Sequence, residues 1–315
     1  MSKAEAKLHK LPATPGNVYT GYFDREIQPV LRIESGDSVS LQTLMLNDDQ
    51  LRPGMTMEEF SAIRQGDPAR VGHTMTGPVH INGAEPGDVL KIEVLRLVPR
   101  PYAVGYVRPG SMNAGALPED FPEGQFRTFA LNLATMTTEF APGISVPLRP
   151  FMGVMAVAPG EPGRLPTAPP REFGGNIDCR ELVESSILYL PVFNNGALFS
   201  TGDAHAAQGD GEVCLTALET AMDEAVFRFT VRKDMTLKNP MAETPTHWIT
   251  LGFDPDLNEA VKTALRGMID FLAANKGMTR LDAYQLCSIA ADLRVTQVVD
   301  GNKGIHTMLP KSIFK

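Results

Sequence analysis

ILYLPVFNNGALFSTGDAHAAQGDGEV, residues 187–213, carries two apolar β runs and the densest group of metal-ligand side chains in the chain. The runs, 187–193 and 197–201, flank Asn194-Asn195-Gly196, and Asn-Gly is a strong hairpin signal because both residues tolerate positive φ. A two-residue loop at Asn195-Gly196 pairs Asn194 with Ala197, which sets Asp203 opposite Leu188 and His205 opposite Ser186. The same register brings Asp178 level with Val213, beside Glu212. Strand alternation places Asp203 and His205, at i and i+2, on one face. Beyond them Gly209 and Gly211 let the backbone turn tightly around Asp210 and Glu212.

Working outward, strands are expected at 39–46 after the turn Ser35-Gly36-Asp37, and around Leu90, Ile92 and Val94 after Glu85-Pro86-Gly87-Asp88. Further strands are expected at 152–157 and at 226–232, where Phe227, Phe229 and Val231 share one side and Arg228, Thr230 and Arg232 the other. Residues 99–125, rich in Pro and Gly with Tyr102, Tyr106 and Phe121 interleaved, read as an irregular loop at the rim of a pocket. The last quarter changes period. Asp254-Pro255 offers an N-cap and an N1 proline, Leu257, Val261, Ala264, Leu265, Met268 and Leu272 recur at helical spacing, and Gly277 ends the helix. Thr279 opens a second helix through Ile289, and 295–299 with 305–309 form a closing hairpin. The chain divides into an N-terminal β part (1–98), a loop-rich β insertion (99–175), the metal-site hairpin and β part (176–250) and an α+β part (251–315), packed as one unit.

Composition narrows the function classes. A net charge of -8 leaves no basic face for nucleic acid, so the expected partner is a small molecule and not a polyanion. No stretch reaches the roughly 18 apolar residues of a membrane span. The polar start lacks a secretory apolar run, and the three cysteines, Cys179, Cys214 and Cys287, show no CxxC spacing; both point to a reduced cytoplasm.

Asp203 and His205, with Asp178 or Glu212 and His73 as further ligands, suit a divalent metal. The mixed carboxylate and imidazole set favours zinc, and a more carbonyl-rich version would suit calcium. The competing reading is a solvated Gly-Asp-Gly-Glu turn beside a hydrogen-bonded core histidine. A nucleophilic Cys179 or Cys214 is disfavoured because an acidic neighbourhood raises a thiol's pKa, and no Gly-x-Ser-x-Gly elbow supports a serine triad. His80 reads as structural and His9 as part of a mobile tail. His306, after a turn, stands even between core and pocket.

Thr76-Gly77-Pro78-Val79 with Gly83-Ala84-Glu85-Pro86-Gly87-Asp88, Pro150-Phe151-Met152-Gly153-Val154, Gly174-Gly175-Asn176-Ile177-Asp178, residues 202–213 and Asp300-Gly301-Asn302-Lys303-Gly304-Ile305-His306 together resemble the acetamidase/formamidase family. The resemblance implies a mainly β, jelly-roll-like sandwich with a smaller α+β portion near the C-terminus. It also implies a homodimer or larger homo-oligomer, and hydrolysis of a short neutral amide to carboxylate and ammonia. A relative acting on a γ-lactam makes lactam hydrolysis the alternative. Carried onto this chain, it implies Asp178, Asp203 and His205 as metal ligands and Glu212 as general base. Asp210 and His73 join Glu212 as candidate catalytic residues, and His306, Gln208 and Asn176 are candidate substrate contacts. A non-catalytic, calcium-stabilised β-sandwich binding module is the reading from a different class.

Overall fold

The computed structural model describes residues 6–112 and 114–315. In chain order its principal strands are β1 (Leu8–Leu11), β2 (Ser38–Leu41), β3 (Thr74–Ile81), β4 (Val89–Pro99), β5 (Tyr102–Val107), β6 (Gln125–Ala130), β7 (Phe151–Ala156), β8 (Gly174–Asn176), β9 (Ile187–Pro191), β10 (Phe199–His205), β11 (Glu219–Thr220), β12 (Met222–Arg232), β13 (Met241–Glu243), β14 (His247–Asp254), β15 (Asp292–Gln297) and β16 (Lys303–Pro310). The helices are α1 (Met57–Arg64), α2 (Leu257–Lys276) and α3 (Arg280–Ala290).

Two nine-stranded sheets make a mainly β sandwich. The first runs β1-β2-β12-β4-β9-β13-β14-β16-β15, antiparallel except for β1 against β2. The second runs β8-β7-β10-β11-β5-β6, with β3 beside β10 and the short strands Val18–Thr20 and Leu31–Ile33 beside β3. Period-two patterning decides which face each strand buries: Phe227 and Phe229 of β12 are buried, while Arg228 between them points outward to Glu93. Those rings meet Phe199 of β10 from the opposite sheet, at centroid distances of 6.1 and 5.0 Å. One hydrophobic core thus joins Leu41, Ile92, Leu188 and Phe229 of the first sheet to Met75, Val79, Val154 and Phe199 of the second. Fully burying such side chains stabilises by roughly 1.5–3 kcal/mol each.

The α+β end follows its signals with one shift. Asp256, not Asp254, caps α2 by accepting from the Asn258 N–H, and Gly277 ends it with φ 63°. Thr279 caps α3, and β15 pairs with β16 antiparallel.

The Asn195-Gly196 turn does not make a hairpin. β9 pairs with β4 and β13 in the first sheet, whereas β10 pairs with β7, β3 and β11 in the second. The turn is a crossover. After Gly196, Ala197 and Leu198 also take left-handed backbones (φ 57° and 60°), which carries the chain away from β9. Asn194 anchors the crossover by donating from its side chain to the Ala158 and Pro159 carbonyls. Asp203 therefore lies against Gly153 of β7, not opposite Leu188, and His205 pairs with Phe151 and Glu219, not Ser186.

Three other expectations change. Within 99–125, Tyr102–Val107 is a regular strand pairing with β6, because Ala103, Val104 and Tyr106 are buried. The 39–46 strand stops at Leu41. His9 lies in β1, where its Nε2 is 2.8 Å from Asp37 Oδ2, so this segment is held to the sheet edge.

Candidate active site

The site forms where β7, β8, β10 and β11 bring acidic residues to one end of the second sheet. Asp203 and His205 come from β10, and β11 sets Glu219 directly across from His205. Asp178 follows β8, its backbone N–H donating to the Gly153 carbonyl. Glu212 arrives on the Gly209–Gly211 turn, whose Gly211 N–H donates to the Thr296 carbonyl. Asp178, Asp203 and Glu212 all adopt left-handed backbones, with φ of 49°, 53° and 45°. Non-glycine residues held there cost about 1–3 kcal/mol each and cluster at functional sites.

His205 is the hinge of the geometry. Its Nε2 lies 3.4 Å from Asp203 Oδ2 and 3.3 Å from Glu219 Oε2, and its Nδ1 is 4.0 Å from Asp178 Oδ1. Gln208 fixes the ring: its Oε1 is 2.9 Å from His205 Nδ1, and its Nε2 donates to the Asp178 carbonyl at 2.7 Å. Phe151 packs edge-on against the imidazole at 5.0 Å. Two triads share this histidine, Asp178–His205–Glu212 and Asp203–His205–Glu219, each offering ligand atoms within 4.8 Å of one another.

Gly153 makes room for the group. A Cβ there would fall 2.5 Å from Asp178 Oδ1 and 2.7 Å from Asp203 Oδ2, so any larger residue would occupy the space between the two carboxylates.

The donor set fits a cation. Both carboxylate oxygens of Asp178, Oδ1 of Asp203 and Nε2 of His205 are buried without a hydrogen-bond partner. Acceptors gathered this way in low dielectric need protons or a cation between them. Their titration reflects the same crowding. Burial, reinforced by the charge of Asp203, pushes Asp178 well above the carboxylate range, and burial with Asp178's charge does the same to Glu212. Burial opposes ionisation of Asp203 too, but His73 and His205 outweigh it and hold the group down to about 2. His205, despite burial, is held protonated well above its ordinary value by Glu219 and Asp203.

A cleft of about 150 Å³ opens onto the cluster, lined by His73, Asn176, Asp178, Asp203, Glu212 and Glu219 among others. His73 reaches it on a loop clamped by Asn47, whose Oδ1 accepts from the Gly72 N–H, and His73 Nε2 lies 3.9 Å from Asp203 Oδ2. Asn176 is buried at the same wall with Oδ1 unpartnered.

The remaining sequence candidates sit elsewhere. Asp210 turns away to pair with Arg294, which also holds Glu181. His306 lies on β16 with Nδ1 2.9 Å from Thr296 Oγ1, outside the cleft lining, and burial pushes it down to about 4. Gln208 touches His205 and Asp178, not the cleft. Cys179 is buried, its thiol pushed up by burial to about 12. Glu219 and Asp300 were missed. Glu219 is the only charge in Ala217-Leu218-Glu219-Thr220-Ala221-Met222, a pattern that signals a carboxylate drawn into the interior. Asp300 opens the last of the family-like motifs but carries no site role in the sequence reading; it lines the cleft, where burial followed by the charges of Asp203 and Glu219 raises it to about 7.

The profile of the Acetamidase/Formamidase family matches residues 13–164 and 163–315. The chain belongs to that family. The crystal structure of an acetamidase from Bacillus halodurans superposes with a TM-score of 0.87 at 30% identity, over 97% of this chain and 98% of that one. A putative formamidase of Schizosaccharomyces pombe is 25% identical over 265 residues, covering 66% of this chain and 64% of that protein. The chain spans less than two thirds of the length of the curated relatives it matches. The structure of a gamma lactamase from Delftia acidovorans shares the fold, with a TM-score of 0.68 at 22% identity. Among the described residues no helix is long and apolar enough to cross a membrane.

Proposed function

We propose that the chain hydrolyses the carbon–nitrogen bond of a short primary amide, formamide and acetamide being the smallest members, to carboxylate and ammonia at a metal-assisted centre. The observation that carries this reading is the set of buried carboxylate oxygens without a donor on Asp178 and Asp203, lining a cleft of amide size, with the His205 ring 3.4 Å from Asp203 behind them. Family membership and the names of the relatives support it.

Asp178, Asp203, His205 and Glu219 are the ligand set in this reading, with zinc favoured over calcium because an imidazole nitrogen joins the carboxylates. A divalent ion there supplies Lewis acidity, polarising a carbonyl oxygen and acidifying water. Glu212 takes the proton of the attacking water; burial and the charge of Asp178 raise its pKa, which makes it a stronger base than a solvated carboxylate. The same carboxyl then returns that proton to the departing nitrogen. Asn176 and His73, on the cleft wall, orient the amide, and Gln208 keeps Nδ1 of His205 occupied so that Nε2 faces the ligand group. We place the enzyme in the cytoplasm as a homo-oligomer.

The test pairs elemental analysis of the purified protein with ammonia release from formamide and acetamide, before and after chelation. Ring opening of a γ-lactam is followed in parallel through its primary-amine product. Chelation should abolish turnover and metal restore it. Absence of turnover from metal-loaded protein on all three would overturn the enzyme reading in favour of a binding module. Glu212→Gln should keep its metal while losing at least ~10²-fold in kcat; loss of metal would make Glu212 a ligand.

A further inference from the structure

The cleft also carries positive charge that a neutral amide leaves unused. Arg64 and Arg108 line the same cavity as the carboxylate cluster. Arg64 ends α1, one turn after Phe60, and Phe60 docks the helix by packing on Tyr106 at 4.4 Å and on Phe126 at 5.7 Å. The i,i+4 spacing sets Arg64 on the docked side of the helix. Arg108 directly follows β5, with its Cζ 5.8 Å from the ring of the same Tyr106. One aromatic cluster therefore fixes both cations.

Neither guanidinium has a carboxylate within ion-pair distance among the described residues, whereas the half-buried Arg100, Arg149 and Arg294 are each paired with one. Arg108 Nε is buried with no hydrogen-bond partner. Burial, and then the charge of Arg108, lowers the pKa of Arg64. Two half-buried, like-charged guanidiniums lining one cleft favour an anion between them, and planar guanidinium matches carboxylate in a two-pronged contact.

We propose that this site selects amides whose acyl chain ends in a carboxylate, Arg64 and Arg108 binding that group while the amide lies at the acidic cluster. The proposal rests on the amidohydrolase reading and gives it a substrate class, the monoamides of short dicarboxylic acids. The bond cleaved is still the amide C–N bond, with water entering and ammonia leaving, and the product is the dicarboxylate.

The experiment compares metal-loaded protein on oxamate, malonamate, succinamate and glutaramate with neutral amides of matching length and with β-alaninamide. At least one monoamide should exceed its neutral counterpart by tenfold or more in kcat/KM, and β-alaninamide should be slowest. R64Q and R108Q should each lower that ratio at least tenfold, with R64K restoring part of it. Equal or better turnover of the neutral amides across the series would overturn the proposal. Calorimetric binding of succinate provides a readout that needs no turnover and no correctly folded variant: the wild type should bind succinate at least tenfold more tightly than butyramide, and failure to do so overturns the proposal. If no amide is hydrolysed while succinate binds in this way, the amidohydrolase reading fails and the anion site stands.

Discussion

Gly153 and Gln208 shape the centre without being ligands. At Gly153 the limit is space: adding one methyl group places carbon 2.5 Å from Asp178 Oδ1 and 2.7 Å from Asp203 Oδ2, well inside van der Waals contact. Gly153→Ala should therefore lose bound metal and at least ~10²-fold in turnover. Circular dichroism should remain that of a folded β protein, since the added atom meets carboxylate tips and the Asp203 carbonyl at the sheet's end. Gln208 acts through hydrogen bonds. Gln208→Leu removes the acceptor for His205 Nδ1 and the donor to the Asp178 carbonyl, and should weaken metal affinity about 10–100-fold, read by competitive chelator titration. An unchanged affinity would mean that Phe151 packing alone orients the ring.

At the scale of elements, the crossover between β9 and β10 and the edge strand β1 each rest on a few contacts. Gly196 has φ 78°, and a Cβ there would lie 2.2 Å from the His80 ring. Gly196→Ala should destabilise by roughly 2–4 kcal/mol, from left-handed backbone strain plus overpacking. His80→Ala in the same chain should recover the overpacking part, measured by urea unfolding. This close approach also accounts for His80 as a packing residue. Asp37 ties β1 down: burial opposes its charge, but the Lys7 N–H, His9 and the Glu34 N–H outweigh that and hold its carboxyl below the usual range. A carboxyl lowered in the folded state contributes stability above its unfolded pKa, and the contribution disappears as pH falls through the folded value. Asp37→Asn should thus cost roughly 1–3 kcal/mol at pH 7 and progressively less below pH ~4. A pH-independent difference between the two proteins would contradict that assignment.

At the scale of the whole molecule, the proposed ligands come from positions 178, 203, 205 and 219, brought together by the second sheet, so occupancy should report on global stability. A ligand that binds only the folded state raises stability by about 2.7 kcal/mol at a hundredfold excess over Kd. Chelation should accordingly lower Tm by several degrees, measured by calorimetry. The pH sense follows from His205. Its proton, held well above the ordinary value by Glu219 and Asp203, must leave before Nε2 can take a cation. Metal binding should release protons, and affinity should fall as pH is lowered, so the Tm gap between loaded and chelated protein should narrow towards acid.

The sequence by itself determined those elements whose periodicity and caps are local, such as Phe227 and Phe229 against Arg228, Thr279 before α3 and Gly277 after α2, but it read the strand Tyr102–Val107 as loop. It also determined the family and the central Asp203–His205 pair, because i,i+2 spacing on a strand needs no partner to define a face. What it misjudged was long-range pairing. Asn195-Gly196 carries a hairpin signal, but the left-handed residues Ala197 and Leu198 send β10 into the other sheet. Only the tertiary structure decided that Asp178 meets Asp203 across Gly153, that Glu219 lies opposite His205, and that Asp210 is taken by Arg294 and His306 by Thr296. Which of two nearby carboxylates enters a site depends on the register of strands distant in sequence, and register is fixed by the shared core of both sheets, not by any residue's neighbours.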